Sequence, residues 1–183
     1  PALENGLGLA FDAIKKAAEL DTKGAQVKQI TETLTNLKNK YYEEAMSNYT
    51  LGNYSTASVG FEKTWEVAAH PVLNQIDTTM AYYAALTATM AGERERASKL
   101  MEYCLSVSYD LAGDVQSGMA DNYKALGDTV KCKEILTEAF AKYPTNQSIL
   151  VGLINVYMES NEDPAKILEI LKVAQGNEPN NAS

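Results

Sequence analysis

Histidine, cysteine and basic residues are all scarce in this chain, and each shortage removes a class of function. His70 is the one histidine among 183 residues, so neither a two-histidine metal site nor a histidine proton relay can be built from this sequence. It stands before Pro71 at an expected helix end, where an imidazole meets the negative pole of the helix dipole. The two cysteines, Cys104 and Cys132, lie 28 residues apart, without close metal-ligand spacing. Both fall within helical apolar patterns and read as free, buried thiols.

Sixteen Lys and Arg against 24 Asp and Glu leave a net charge of −8. Nucleic acid is excluded as a partner class, because neutralising phosphates needs clustered cations, and an anionic membrane surface would repel the chain. No apolar run approaches the roughly 20 residues that cross a bilayer, so no direct membrane insertion is expected. A chain that is 45% apolar and 22% charged is that of a folded, soluble protein. It opens on proline rather than methionine, which leaves room for a targeting segment removed before this form.

Motifs that carry chemistry are missing as well. There is no GxxxxGK[ST] phosphate loop, and "GLG" at 6–8 lacks the third glycine and the preceding strand of a dinucleotide fingerprint. The carboxylates of "GERERA" and "YYEE" read as solvated helical surface. The Asn-x-Ser/Thr sequons at Asn48, Asn53, Asn146 and Asn181 are explained by turn chemistry. No catalytic residue, metal or cofactor is expected.

What the chain does have is a repeat. Gly52, Gly92 and Gly127 follow one another at intervals of 40 and 35 residues. Seven positions before each stands Ala45, Ala85 or Ala120, and five after comes the small Ala57, Ala97 or Cys132. Nine after comes the large apolar Phe61, Met101 or Leu136; twelve after comes the small Thr64, Cys104 or Ala139. Two antiparallel helices joined by a tight turn must approach at small residues, while large side chains fill the space between successive pairs. Glycine at the turn supplies the left-handed backbone that ends the first helix. Pro71 and Pro144 close second helices, and the linker "HPVLNQID" lengthens the first interval. A fourth copy has Tyr157 in the place of Tyr123, Asn161 in the place of the glycine, Asp163 and Pro164 opening a helix and Pro179 ending it. Leu171 and Ala174 fit this copy with one extra turn residue.

These residues resemble the tetratricopeptide repeat (TPR), with small residues and a tyrosine in the first helix, glycine at the turn, alanine and a large apolar residue in the second helix, and a closing proline. The chain departs from that pattern at the family's tryptophan position, which holds Tyr41, Ala81 and Gln116. The resemblance implies an all-α, right-handed TPR-like α-solenoid of antiparallel helix pairs with an N-terminal helical extension. The extension covers residues 1–37, a half-repeat and the start of a long helix running from about Ala25 to Leu51. Helix pairs then cover 38–71, 78–110, 113–145 and 147–180. Some envelope-associated repeat proteins of Gram-negative bacteria, which carry signal peptides, are also similar, and that resemblance implies the bacterial cell envelope or periplasm with a signal segment removed.

In such an array the first helices line a concave face, with the positions ten, six and three before each turn residue pointing into it. These are Tyr42, Met46 and Tyr49, then Tyr82, Leu86 and Thr89, then Ser117, Asp121 and Lys124, and last Val151, Asn155 and Met158. The set lacks the lysine, arginine and asparagine clamp with which some family members hold a peptide carboxylate. Tyrosines join apolar area to a hydrogen-bonding tip, so Tyr42, Tyr49 and Tyr82 are the foremost candidates for contact; packing within the protein is the other role open to them. The expected function is non-catalytic binding of a protein or peptide. Self-association through the uncapped terminal helices, giving a homo-oligomer or a longer array, is one alternative. An accessory module of a larger enzyme is another.

Overall fold

The computed structural model describes residues 2–160 and 164–177. Asn161, Asp163, Pro179 and the sequon at Asn181 lie outside the described residues. Among those described there is no strand, and the helices fall into two compact units, 1–92 and 93–183.

The first unit holds α1 (Ala2–Leu20), α2 (Val27–Thr50), α3 (Tyr54–Ala68) and α4 (Thr78–Met90). Asp21 sets the start of α2 by accepting from the amides of Ala25 and Gln26 at 2.8 and 2.7 Å. Ile30, Leu34, Leu37 and Tyr41 then recur at three- and four-residue spacing and bury one stripe with Phe11 of α1 and Val67 of α3. This helix of 24 residues ends at Gly52, whose φ of +78° gives the left-handed turn; Gly92 and Gly127 have φ of +81° and +83°. Beyond the turn α3 runs back along α2. Ala45 and Gly60 meet so closely that a Cβ on Gly60 would lie 2.8 Å from that of Ala45. The Ser58 hydroxyl, fully buried, donates to the Ala84 carbonyl of α4 at 2.7 Å, pinning the next helix against α3. Between α3 and α4 the linker folds back, with Val72 and Leu73 on the α1–α2 core and Asp77 capping α4 through the Met80 amide.

The second unit holds α5 (Arg94–Ser106), a 3-10 turn (Leu111–Gly113), α6 (Asp114–Ala125), α7 (Thr129–Lys142), α8 (Gln147–Glu159) and α9 (Pro164–Asn177). Its core repeats the sequence pattern: Ala97, Met101, Cys104, Ala120, Cys132, Leu136 and Ala139 are all buried. Small meets large again, since a Cβ on Gly118 would come 3.1 Å from Met101 and one on Gly152 3.3 Å from Leu136. The linker from α5 to α6 is unlike anything the repeat spacing predicts. Ser108, Leu111 and Ala112 all have positive φ, of 61°, 49° and 53°. Asn146 holds this segment by donating to the Ala112 carbonyl and the Asp114 carboxylate at 3.0 and 2.9 Å, while its own oxygen caps α8 at the Ile149 amide.

Candidate functional site

An open groove of about 310 Å³ lies in the first unit between α2 and α4, with α3 beneath it. Its floor is the ring of Phe61, which is 1% exposed. Tyr42 tilts against that ring with centroids 6.3 Å apart, and Tyr83 meets it edge-on at 5.6 Å. Met46, Tyr49, Leu86, Thr87 and Met90 complete the lining. Tyr49 stacks at 5.9 Å, tilted, on Tyr54 at the start of α3. Among the described residues no charged one lines the groove, yet Tyr42, Met46, Tyr49, Tyr83 and Met90 stay exposed on its walls.

Four of the residues named from the sequence meet here: Tyr42, Met46, Tyr49 and Leu86. Tyr82 and Thr89 do not line this groove; Tyr83, Thr87 and Met90 do. The reason is rotation along the helix. Residues 83, 86, 87 and 90 form one stripe at helical spacing, whereas 82, 86 and 89 form a stripe turned from it by about 80°. Counting back from the turn glycine selects the same stripe on α2 and α4, but two neighbouring helices enclose a groove with different flanks. The signal that finds Tyr83 is its membership, with Leu86 and Met90, in a large apolar i, i+3, i+7 set.

In the second unit Ser117, Asp121 and Asn155 border a wide polar groove of about 410 Å³ with Gln147, Ser148, Val151 and Gly152. Ser117 itself is buried. Partial desolvation raises the Asp121 carboxyl pKa, against the opposing pull of Lys124 and Arg94. Lys124 does not line this groove. It pairs with Glu159 at 2.7 Å, a hydrogen bond that raises its own pKa. Met158 is exposed and also lies outside the lining.

Two side-chain networks escape the sequence reading. Arg94, within "GERERA", reaches inward and donates to Oδ1 of the fully buried Asn122 at 2.9 Å, so that stretch is only partly solvated surface. Asp110 receives Lys142 at 2.7 Å and the Tyr143 hydroxyl, and these two bonds hold its pKa low.

The groups most often used in chemistry sit in structural roles. Both cysteines are free and buried, and burial pushes the Cys104 thiol up to about 11. The His70 Nδ1 accepts from the Val72 amide at 3.3 Å, and burial, with Lys15 nearby, lowers its pKa. Among the described residues no group of three or more His, Cys, Asp or Glu is placed to hold a metal ion. No described helix is long and apolar enough to cross a membrane.

No family model and no curated protein matches this sequence. Solved structures do. BtubC (BKLC) from P. vanneervenii is 16% identical with a TM-score of 0.53, over 96% of this chain and 73% of that one. The nearly identical TPR-like repeats assigned to a kinesin light chain of Podosopora anserina are 16% identical with a TM-score of 0.55, over 100% of this chain and 98% of theirs. At that identity the likeness speaks for the fold, which is all-α and of the TPR-like repeat type.

Proposed function

We propose that this chain is a non-catalytic scaffold that binds a protein or peptide in the groove between α2 and α4. The observation that supports the reading is a concave apolar surface of tyrosine, methionine and leucine left in water around a buried phenylalanine. Aromatic side chains exposed in a pocket are the usual anchors of protein recognition, since they bury much area at low entropic cost. The test is affinity capture from a lysate of the source organism, comparing the chain with a Tyr42→Ala, Tyr83→Ala variant of unchanged helicity. A protein retained by the parent and lost by the variant supports the groove as the binding surface. Identical captures overturn it.

A second reading, self-association through the terminal helices, draws on α9. Leu168, Leu171 and Val173 are 53%, 44% and 44% exposed there, and no residue of α9 is buried. Light scattering over a range of concentrations separates the two. A mass that rises with concentration and is restored to that of one chain by Leu171→Asp favours assembly.

A further inference from the structure

We propose that the groove of the first unit takes an amphipathic α-helix with a basic polar face, not an extended peptide. This rests on the reading of that groove as the binding surface. An extended peptide brings an amide and a carbonyl with every residue, and each needs a partner once it leaves water. The groove has few to give. The last carbonyls of α2, those of Ser47, Asn48 and Tyr49, already accept from the amides of Leu51, Asn53 and Gly52 respectively. On α4 the Thr87 and Thr89 carbonyls accept from Ala91 and Gly92. The Thr87 hydroxyl donates back to the carbonyls of Tyr83 and Ala84 at 2.6 and 3.2 Å. Among the described residues the lining has no charged or amide side chain, so the hydroxyls of Tyr42, Tyr49 and Tyr83 are what it can offer.

A helix asks for less, because its backbone is satisfied internally and only side chains reach the host. The wall from Tyr42 to Tyr49 is about 10 Å long, two turns of α2. That length accepts the i, i+3 or i+4, and i+7 residues of a partner helix. Met46 and Met90, unbranched and flexible, can move to fit its ridges. The sign of the polar face follows from charge: residues 1–92 carry seven Lys and no Arg against ten Asp and Glu, a net −3 within the chain's −8. A basic outer face is drawn to a unit of that net charge and an acidic one repelled.

Two synthetic 18-residue peptides of equal Leu and Lys content test the proposal. One places Leu at i, i+3, i+4 and i+7, the other alternates Leu with Lys. Each is titrated into the intact chain and into a Tyr42→Ser, Tyr83→Ser variant, with the Met46 and Met90 methyl resonances followed in the parent. The expected result has three parts: at least tenfold tighter binding of the helix-spaced peptide, movement of both methyls, and at least a tenfold loss in the variant. Equal binding of both peptides, with the methyls moving, overturns the helix and leaves the groove reading intact. Binding with the methyls unmoved places the contact elsewhere and overturns both. Methyl shifts on concentrating the chain alone make a second copy the occupant and overturn the proposal too.

Discussion

Eleven residues before the turn glycine, the first unit has Tyr41 and the second has Gln116, and the two positions have opposite fates. Tyr41 is 6% exposed and closes an apolar cluster with Phe11, Leu34, Leu37 and Val67. Gln116 is half-buried, and its Oε1 is shut off from water with no hydrogen-bond partner among the described residues. Beside it lies an open pocket of about 290 Å³ lined by Leu105, Met119 and Ile135 together with the charged Asp110, Glu138 and Lys142. The second unit adds the buried Asn122–Arg94 pair, where the first has the Phe61 ring flanked by Tyr42 and Tyr83. The repeat spacing therefore places small buried residues where helices approach, as Ala45 does against Gly60, and leaves open what fills the space between. At these positions the first unit packs apolar and aromatic rings, and the second holds polar side chains.

The contrast can be broken most strongly at Phe61. Phe61→Ala is expected to lose about 3–5 kcal/mol in urea unfolding, through lost burial and the cavity left behind, and to remove the floor of the groove. A loss under about 1 kcal/mol would mean that the aromatic interior contributes little. Next is Asn122→Ala, which leaves the Arg94 guanidinium without its buried acceptor; about 1–3 kcal/mol is expected, and Arg94→Met should cancel part of that in a double-mutant cycle. Gln116→Met should act in the other direction. It removes an orphaned acceptor and fills space, for a gain of about 1–2 kcal/mol; a loss would show that the glutamine does more than occupy the site.

The smallest effects separate two carboxylates within the second unit by pH. The Asp110 pKa is held down by Lys142 and Tyr143, so its contribution is present above the unfolded pKa near 3.8 and disappears as pH falls through the lower folded value. Asp121 is raised by desolvation, so its charged form opposes folding above the folded pKa and that opposition is relieved on acidification. Asp110→Asn should lower stability at neutral pH and Asp121→Asn should raise it, each difference fading once the pH is below both of the group's pKa values. Urea midpoints between pH 2 and 7 check the two signs.

The turns and the buried pattern were legible because they repeat: Gly52, Gly92 and Gly127 share a left-handed φ, and Phe61, Met101 and Leu136 share burial. Half of the groove was legible for the same reason, through Tyr42, Met46, Tyr49 and Leu86. Tyr83 was not, since its part depends on which flank of α4 turns toward α2, and an offset from the turn carries no such information. Arg94 and Asn122 stand 28 residues apart, and a guanidinium in a run of alternating charge gives no sign that it points inward. The left-handed residues Leu111 and Ala112 were also invisible, for neither is a residue type that announces a positive φ.

At Gly113 the φ is 101°, and a Cβ would stand 2.5 Å from the Ile149 side chain and 2.9 Å from the Tyr143 ring. The turn glycines 52, 92 and 127 have open space around them, so asparagine can replace them with only a conformational cost. Copies of this gene accumulating substitutions should thus tolerate change at the three turn glycines more readily than at Gly113, which stands outside the repeat pattern. Divergence would blur the turn signal first, while the buried small and large positions went on marking the helices.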